Sequence, residues 1–186
     1  MITGVVAIQG DFEKHLEALR AIGVPSKEVR IPEDLEGVDR LILPGGESTT
    51  VGMLMQRFGL ADAIKERVSG GMPVWGTCMG MILLAREVEG RPEQFTLGLL
   101  DVTVRRNAFG TQVHSFEDMV TVKGMEEPVM GVFIRAPVLI ELGPQVEPLA
   151  EYEGRTVAVR QGRVVGTSFH PELTEDQRMH RWFLRI

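Results

Sequence analysis

The chain has 186 residues and one cysteine; 44% of its residues are hydrophobic, 25% are charged, and its formal net charge is −6. This length fits one domain with a substantial core, and the composition is that of an ordinary globular protein. The acidic balance argues mildly against a nucleic acid or an anionic membrane as partner and leaves a local basic patch open, and a single cysteine excludes an internal disulfide framework.

The initial segment, MITGVVAIQGDFEKHLEALR, lacks the basic stretch of a secretory signal. No apolar run approaches the roughly 18–20 residues that a membrane span needs. A lone cysteine also fits a reducing compartment. We therefore expect a cytoplasmic protein.

Three apolar segments in the first half each precede a turn and a helical pattern. We predict strands at residues 2–8, 41–43 and 73–75. We predict helices at 12–22, at 49–58 with Ser48 or Thr49 as the cap, at 61–68 and directly after Cys78. Repeated strand–turn–helix units with nearly continuous apolar strands predict an α/β fold, a three-layer sandwich whose central, mostly parallel sheet is flanked by helices.

The second half changes character, because short strands with hairpin-like turns replace the alternating pattern. We predict strands at 99–105, 119–122, 129–134, 156–161 and 164–168, and a last helix at about 175–184. No internal repeat, low-complexity segment or linker interrupts the chain. The expected organisation is one domain over residues 1–186.

The lone cysteine lies in the segment PVWGTCMG, after the third predicted strand. Cys78 has a glycine two positions before it and another two positions after it. This is the form of a nucleophile elbow, a tight strand-to-helix turn that raises the nucleophile above the carboxyl end of a sheet. The helix start that follows favours a thiolate. A small buried hydrophobe in a glycine-rich turn explains the same letters, so the motif alone leaves both interpretations open.

A cysteine nucleophile needs a base, and the chain has four histidines. We predict that His15 is a partly exposed residue of the first helix. His180 lies in the charged last helix and is expected to face solvent. His114 lies in a polar segment that favours neither burial nor catalysis.

The fourth histidine, His170, follows the last predicted strand and precedes Pro171 and Glu172. Proline favours an extended residue before it, and residues i and i+2 of an extended segment point to the same side. We therefore expect Glu172 to hold one imidazole nitrogen of His170 while the other faces Cys78. A polar strand end explains His-Pro-Glu alone, and its combination with the elbow favours catalysis.

The segment LPGGES joins the second predicted strand to its helix. Gly45 and Gly46 can expose backbone N–H groups to an anion or a developing oxyanion. Glu47 follows, where a substrate ammonium or amide can be received. A tight turn with a helix cap accounts for the same residues, and the lack of a Gly-Lys-Ser/Thr sequence argues against a nucleotide-binding loop.

Together these motifs resemble the class I (triad) glutamine amidotransferases, and most closely the glutaminase subunits of pyridoxal 5′-phosphate synthase. This family has a flavodoxin-like fold. The resemblance extends over almost the whole chain, and its segments are residues 7–10 with His15, 43–50, 76–80, 106–110, 112–116, 131–137 and 168–174.

The resemblance implies that the chain hydrolyses L-glutamine to L-glutamate and ammonia through a glutamyl thioester on Cys78. His170, oriented by Glu172, would protonate the ammonia and then activate water. The resemblance implies an oxyanion site at the backbone N–H groups of Gly46 and Met79, with Gln9 beside them. It implies L-glutamine binding at Gly46, Glu47, Ser48, Arg106, Ile134 and Arg135. No cofactor and no metal are expected.

The implied partner is a (β/α)₈-barrel synthase subunit, which receives the ammonia and makes pyridoxal 5′-phosphate. Free glutaminase subunits of this family resemble a switched-off state, and a peptide flip at Gly45 and Gly46 suits activation by that partner. Met79 departs from the family, which usually has a small residue there. Its N–H can still serve the oxyanion, whereas its bulk bears on packing above the elbow.

Three alternatives stay open at this level. Another class I amidotransferase subunit would lack the Gln112-x-x-Ser-Phe motif and the segment 134–137. A cysteine hydrolase on a similar scaffold need not have Pro-Gly-Gly-Glu-Ser or His-Pro-Glu. A catalytically silent regulatory subunit is opposed by the intact set of Cys78, His170 and Glu172.

Overall fold

The structure, a computed structural model, describes residues 1–110 and 115–186. Its strands are β1 Thr3–Val6, β2 Ser26–Val29, β3 Arg40–Leu43, β4 Val74–Thr77, β5 Ala85–Val88, β6 Leu100–Arg105, β7 Ser115–Val120, β8 Val129–Ile134, β9 Val138–Leu142, β10 Glu147–Tyr152, β11 Arg155–Gln161 and β12 Val164–Thr167. Its α-helices are α1 Phe12–Ala21, α2 Ser48–Arg57, α3 Leu60–Ser69, α4 Met79–Leu84 and α5 Arg178–Phe183. Short 3₁₀ turns cover Pro32–Leu35 and Pro171–Leu173.

The main sheet has the order β2-β1-β3-β4-β12-β11-β9-β6-β5, with β10 paired to β11. The five strands from β2 to β12 in this order are parallel to their neighbours. Antiparallel pairs link β12, β11, β9 and β6, and β7 and β8 form a separate hairpin. The predicted α/β fold with a mostly parallel central sheet is confirmed.

The parallel strands β1, β3, β4 and β12 are buried on both faces, which explains their nearly continuous apolar sequences. Neighbouring residues alternate between the two faces, so Val5 packs in one apolar cluster and Val6 in the other. Apolar residues of α2, α3 and α4 complete the cluster that contains Val6. Residues of α1 and α5 complete the other. These are the three layers predicted from the sequence.

Four loops leave the sheet at the carboxyl ends of adjacent parallel strands. They follow β1, β3, β4 and β12, and they carry Gln9, Gly46, Cys78 and His170 respectively. Because parallel strands end at the same edge of a sheet, residues distant in sequence converge there. The topology thus explains how one cavity collects the predicted site residues.

Several predicted boundaries are wrong. The patterns did not predict β2, β5, β9 and β10; β2 is partly exposed at the sheet edge and its sequence, SKEV, lacks an apolar run. The strand predicted at 119–122 is Ser115–Val120. The last helix begins at Arg178, later than expected. In residues 1–110 and 115–186, no helix combines the length and apolar character required to cross a bilayer.

Candidate active site

Cys78 lies on the predicted elbow between β4 and α4. Its φ is +49°, a backbone conformation that residues other than glycine rarely adopt. A Cβ at Gly80 would overlap the carbonyl oxygen of Leu43, and one at Gly76 would overlap the backbone of Gly80. Both glycines are therefore required by close packing of the turn, and the predicted tight bend is confirmed.

His170 and Glu172 meet as predicted, but in a different local conformation. The Nδ1 atom of His170 is 2.7 Å from Oε1 of Glu172, and both residues are buried. Pro171 begins a 3₁₀ turn, since its fixed φ suits the first position of a helical turn. The extended segment predicted here is therefore wrong, although the expected pair forms.

The electrostatics of this pair favour a charged imidazole beside the thiol. Burial of His170 opposes its protonation, but hydrogen bonds and charge from Cys78 and Glu172 outweigh burial and raise the pKa of His170 to about 10. Burial raises the pKa of Glu172, and the hydrogen bond from His170 acts in the opposite direction. Since Nδ1 of His170 is bonded to Glu172, Nε2 is the atom left for chemistry with Cys78.

A cavity of about 300 Å³ opens above the elbow. The predicted site residues that line it are Gln9, Gly46, Glu47, Ser48, Cys78, Met79, Arg106, Ile134, Arg135 and His170. Glu172 lies behind His170, away from the opening. The structure thus brings together every residue that the sequence proposed for the site.

Backbone strain concentrates around this cavity. Among the described residues, Cys78, Asn107, Arg135 and Glu153 are the non-glycine residues with positive φ. The first three line the cavity. Strained backbone tends to persist where a functional geometry is enforced by its surroundings.

The loop of Gly45 and Gly46, the predicted oxyanion loop, is held by contacts with the loop after β1. Gly46 has a φ of +151°, and the next N–H, that of Glu47, donates to Oε1 of Gln9 at 2.8 Å. The carbonyl oxygen of Gly45 accepts from the N–H of Asp11 at 3.1 Å. Gln9 therefore lies against the predicted oxyanion loop, as the resemblance implied.

Met79 fits the site despite its size. It is the first residue of α4, where a helical N–H has no acceptor within its own helix. Its side chain is only 2% exposed and packs in the apolar cluster formed with α2 and α3. The core thus accommodates the bulk of the side chain, and Met79 also lines the cavity.

The cap of α2 differs from the prediction. Glu47, rather than Ser48 or Thr49, is the N-cap, and its carboxylate accepts the N–H groups of Thr49 at 3.1 Å and Thr50 at 2.7 Å. Burial acts to raise the pKa of Glu47, but the hydrogen bonds from Thr50 and Thr49 outweigh it and lower that pKa. Glu47 therefore carries a stabilised negative charge at the cavity rim.

Arg106 faces Glu47 across the rim, with Nη2 4.0 Å from Oε1 of the carboxylate. Its Nη1 donates to Oε1 of Gln94 at 3.1 Å, and Nε2 of Gln94 donates to Oγ of Ser48 at 2.8 Å. Partial burial lowers the pKa of Arg106, with the Arg91 charge adding to that effect and Glu47 opposing it. The sequence analysis missed Gln94, because a single glutamine outside any motif gives no signal.

Asp11 is a second residue that the sequence analysis missed. Its Oδ2 lies 3.7 Å from Nδ1 of His170, and it follows the glycine after Gln9, a position that adjoins the predicted motif. Asp11, His170 and Glu172 present possible ligand atoms within 4.8 Å of one another. The 2.7 Å hydrogen bond between His170 and Glu172 already uses two of those groups.

Two predictions about histidines are wrong. His15 and His180 are both fully buried, although each was expected near the surface. Burial lowers the pKa of His15 well below its ordinary range and that of His180 to about 4. Helical position alone could not reveal this, because the two side chains contact each other across 165 positions of sequence. His114 and the beginning of the Gln112-x-x-Ser-Phe motif lie outside the described residues.

Known proteins resemble this chain in sequence and in structure. The family model described as "SNO glutamine amidotransferase family" matches residues 5–186. The pyridoxal 5′-phosphate synthase subunit PdxT of Roseiflexus sp. (strain RS-1) is 56% identical, with 100% of both chains covered. The protein of the same name from a strain of Thermus thermophilus is 55% identical, covering 100% of this chain and 97% of its own. A crystal structure described as a glutamine amidotransferase has a TM-score of 0.96 and 53% identity, covering 100% of this chain and 98% of that one.

Proposed function

The chain belongs to the SNO glutamine amidotransferase family, and we propose that its cavity hydrolyses L-glutamine to L-glutamate and ammonia. One observation carries the proposal: Cys78 of the elbow and the His170–Glu172 pair meet beside the Gly46 loop in one cavity. A nucleophile, an oriented base and oxyanion donors are the parts that acyl transfer requires.

The first half of the reaction is acylation. The Cys78 thiolate attacks the side-chain amide carbon, and the backbone N–H groups of Gly46 and Met79 receive the tetrahedral oxyanion. The C–N bond breaks as the imidazolium of His170 gives its Nε2 proton to the leaving nitrogen, releasing ammonia. The raised pKa of His170 supports this step, because the ring holds the needed proton at neutral pH.

The second half is deacylation of the glutamyl thioester. Neutral His170 takes a proton from water, and the oxygen attacks the thioester carbon. The C–S bond then breaks and returns the electron pair to sulfur, so L-glutamate leaves and the thiolate–imidazolium pair is restored. Glu172 keeps the imidazole in the same orientation through both halves.

The rim supplies opposite charges for the amino-acid end of the substrate. Arg106 suits the α-carboxylate, because a guanidinium can bind it through two parallel hydrogen bonds. Glu47 suits the α-ammonium, because its carboxylate has the opposite charge. It lies 4.0 Å from Arg106, so the two side chains can bind the neighbouring ammonium and carboxylate groups of one amino acid. Ser48, Ile134 and Arg135 are further residues of the cavity lining.

The relatives named above are subunits of pyridoxal 5′-phosphate synthase. We extend their role to this chain: a single catalytic domain over residues 1–186 passes its ammonia to the synthase subunit for vitamin B6 synthesis. A cytoplasmic setting suits the reaction, because the only cysteine is the nucleophile and has to stay reduced. Glycines at the oxyanion loop suit activation by the partner, since a peptide flip there has little steric cost.

The decisive experiment mixes the chain with a cognate synthase and measures both L-glutamate and pyridoxal 5′-phosphate. We expect glutamine-dependent formation of both products, and neither above background with Cys78→Ala. Thermal unfolding of the variant checks that it is folded. L-Glutamate without pyridoxal 5′-phosphate would indicate another amidotransferase, whereas equal turnover by Cys78→Ala would contradict the mechanism. Equal rates with and without the synthase would contradict activation by the partner.

A further inference from the structure

A buried chain of polar side chains lies behind the triad, on the side away from the cavity. Nε2 of His15 is 3.4 Å from Oε2 of Glu172 and 3.2 Å from Oγ1 of Thr77. Nδ1 of His15 is 2.9 Å from Nε2 of His180. Both histidines and Thr77 have no exposed surface. His15 therefore touches the triad carboxylate and the residue immediately before Cys78.

Aromatic packing fixes the positions of both rings. The Trp75 ring meets His15 edge to face at 5.8 Å and His180 at 5.2 Å between centroids. The Trp75 N–H donates to Oγ1 of Thr167 at 3.1 Å. Since Trp75 is fully buried in the central strand β4, neither imidazole has room to turn away from its partner.

The positions of the protons follow from the arrangement of acceptors. His170 already occupies Oε1 of Glu172, while Oε2 faces Nε2 of His15. A protonated Nε2 attracts that oxygen, whereas a lone pair there would repel it. The N–H of Nε2 bonds to Oγ1 of Thr77 at 3.2 Å, and Oε2 of Glu172 lies 3.4 Å from the same nitrogen, where its charge attracts the proton without a conventional hydrogen bond. Neutral His15 then has an accepting Nδ1, and the Nε2–H of His180 donates to it.

The opposite assignment leaves two unfavourable contacts. It would turn the lone pair of His15 Nε2 toward Oε2 of Glu172, and it would put a proton on Nδ1 of His180. Within the described residues, neither Oε2 of Glu172 nor Nδ1 of His180 has a conventional hydrogen-bond partner. In apolar surroundings, a buried N–H without an acceptor costs more free energy than a ring nitrogen without a donor.

We propose that His15 is a positioning residue of the triad: its Nε2–H, held in that tautomer by His180, fixes the Glu172 carboxylate so that Oε1 stays on His170. The inference rests on the proposed glutaminase reaction, because it assigns a role toward the same triad. Glu172 is thereby held from both sides, by His170 and by His15. The lowered pKa values of His15 and His180 agree with two neutral rings.

The tautomers are tested on the wild-type protein by long-range proton–nitrogen NMR of ¹⁵N-labelled histidines. Only four histidines contribute, and His15→Gln and His180→Leu assign the two signals. We expect both rings to be neutral and protonated at Nε2 from pH 6 to 8. A proton at Nδ1 of either ring overturns the proposal, and this measurement on the wild type needs no turnover.

The positioning role is tested by comparing His15→Leu with His15→Gln in the complex with the synthase. Leucine fills the site without a donor, whereas the glutamine amide can place an N–H where Nε2 was. We expect His15→Leu to lower kcat about tenfold, a typical effect of losing an outer partner of an active-site group, with little change in KM. His15→Gln should recover most of kcat.

A purely structural role predicts a different pattern. The downfield proton of the His170–Glu172 hydrogen bond should shift or broaden in His15→Leu and return in His15→Gln. A folded His15→Leu protein with wild-type kcat and an unchanged downfield proton overturns the proposal. If the wild type makes no L-glutamate with its synthase, the proposed function fails separately. The downfield proton then still decides whether His15 positions the pair.

Discussion

The two sides of Glu172 differ in what they do to a buried histidine. On the cavity side, His170 is 3% exposed and its pKa is raised to about 10. On the core side, His15 and His180 are fully buried, and their pKa values are lowered. Burial favours the neutral imidazole on both sides. The difference is that hydrogen bonds and charge from Cys78 and Glu172 stabilise the charged form of His170, whereas burial dominates at His15 and His180.

This contrast shows how one carboxylate serves two roles. Cys78 and Glu172 together stabilise one imidazolium, on the side where the proposed reaction needs a proton for ammonia release. The charge of His170 further disfavours protonation of His15, which also has His180 beside it. In the proposed mechanism, the core side therefore supplies orientation without charge, and the cavity side supplies the proton.

The largest expected effect comes from removing the cavity-side base. His170→Ala should lower kcat by roughly 10⁴–10⁶-fold, as for other members of catalytic triads, with KM changed far less. Steady-state glutamate production in the complex measures both constants. The much smaller loss of kcat expected for His15→Leu makes this pair of variants the most direct comparison of the two sides of Glu172.

A double variant serves as the control for that prediction. Triad members act as a unit, so His170→Ala combined with Cys78→Ala should be no slower than the slower single variant. Additive losses would mean that the two groups act independently. That result would contradict the thiolate–imidazolium pair.

The charge of the cavity-side ring should depend on the thiol. In Cys78→Ala, the pKa of His170 should fall well below 10, because the hydrogen bond and charge from Cys78 are lost while burial remains. Histidine NMR titration of the free subunit measures the change. The His180 signal, whose shift depends on burial alone, is the internal control. An unchanged His170 pKa would place the stabilising charge elsewhere.

The loss of folding stability at acid pH should reflect the buried histidine His180 on the core side of Glu172. The pKa of His180 is about 4 in the folded protein, against an ordinary value of 6.5, so the unfolded chain binds more protons between these values. The contribution of His180 to the free energy of unfolding is therefore fully present above pH 6.5 and is lost as the pH falls toward 4. The loss approaches about 3 kcal/mol. Denaturant unfolding at pH 7.5 and pH 4.5 measures it.

His180→Leu is the matched variant for the pH series. It removes the titrating group, so its unfolding free energy should fall less than that of the wild type over the same interval. Parallel curves for the two proteins would mean that other groups, such as the Glu47 carboxylate whose pKa is lowered in the folded protein, dominate acid unfolding. The opposite trend is expected for His170, whose raised pKa favours folding below pH 6.5 and loses that effect as the pH rises through 10.

The sequence predicted the cavity side far better than the core side. Cys78 and His170 lie in short motifs whose glycine and proline neighbours restrict the backbone. The local sequence therefore indicates the geometry of these two residues. His15 lies on a helix where its neighbours indicate only a partly apolar face. Its burial depends on β4 and α5, which lie distant in sequence and pack against it. Such long-range contacts leave no local signal.

The same reasoning explains the strands. The central strand β4 was predicted because a strand buried on both faces is apolar throughout. The strand β10 was missed: its sequence, EPLAEY, contains a proline and charged residues that suit an exposed edge. Glu47 is a third residue whose role could not be predicted from the sequence. It caps α2 because of the local backbone geometry, and the sequence Glu-Ser-Thr-Thr allows several residues to be the cap.

The smallest effect is expected at the rim, where the cavity side meets solvent. Arg106→Met removes the guanidinium and keeps much of the apolar stem, so it should raise KM for L-glutamine about tenfold, the size of one hydrogen bond to a charged group, with kcat nearly unchanged. The side chain of Arg106 is 25% exposed, which limits the loss because water can replace part of the contact. Initial rates over a range of glutamine concentrations separate KM from kcat.

The neighbouring Arg105 supplies a matched control. It pairs with Glu89 at 2.6 Å on the surface and does not line the cavity, and an exposed ion pair of this kind contributes little to stability. Arg105→Met therefore removes the same charge one position away and should leave KM unchanged. Equal increases in KM for both variants would show that net charge steers glutamine to the cavity. A loss confined to kcat in Arg106→Met would instead move Arg106 into the group that acts on the reacting amide, and the division between a reacting interior and a binding rim would fail.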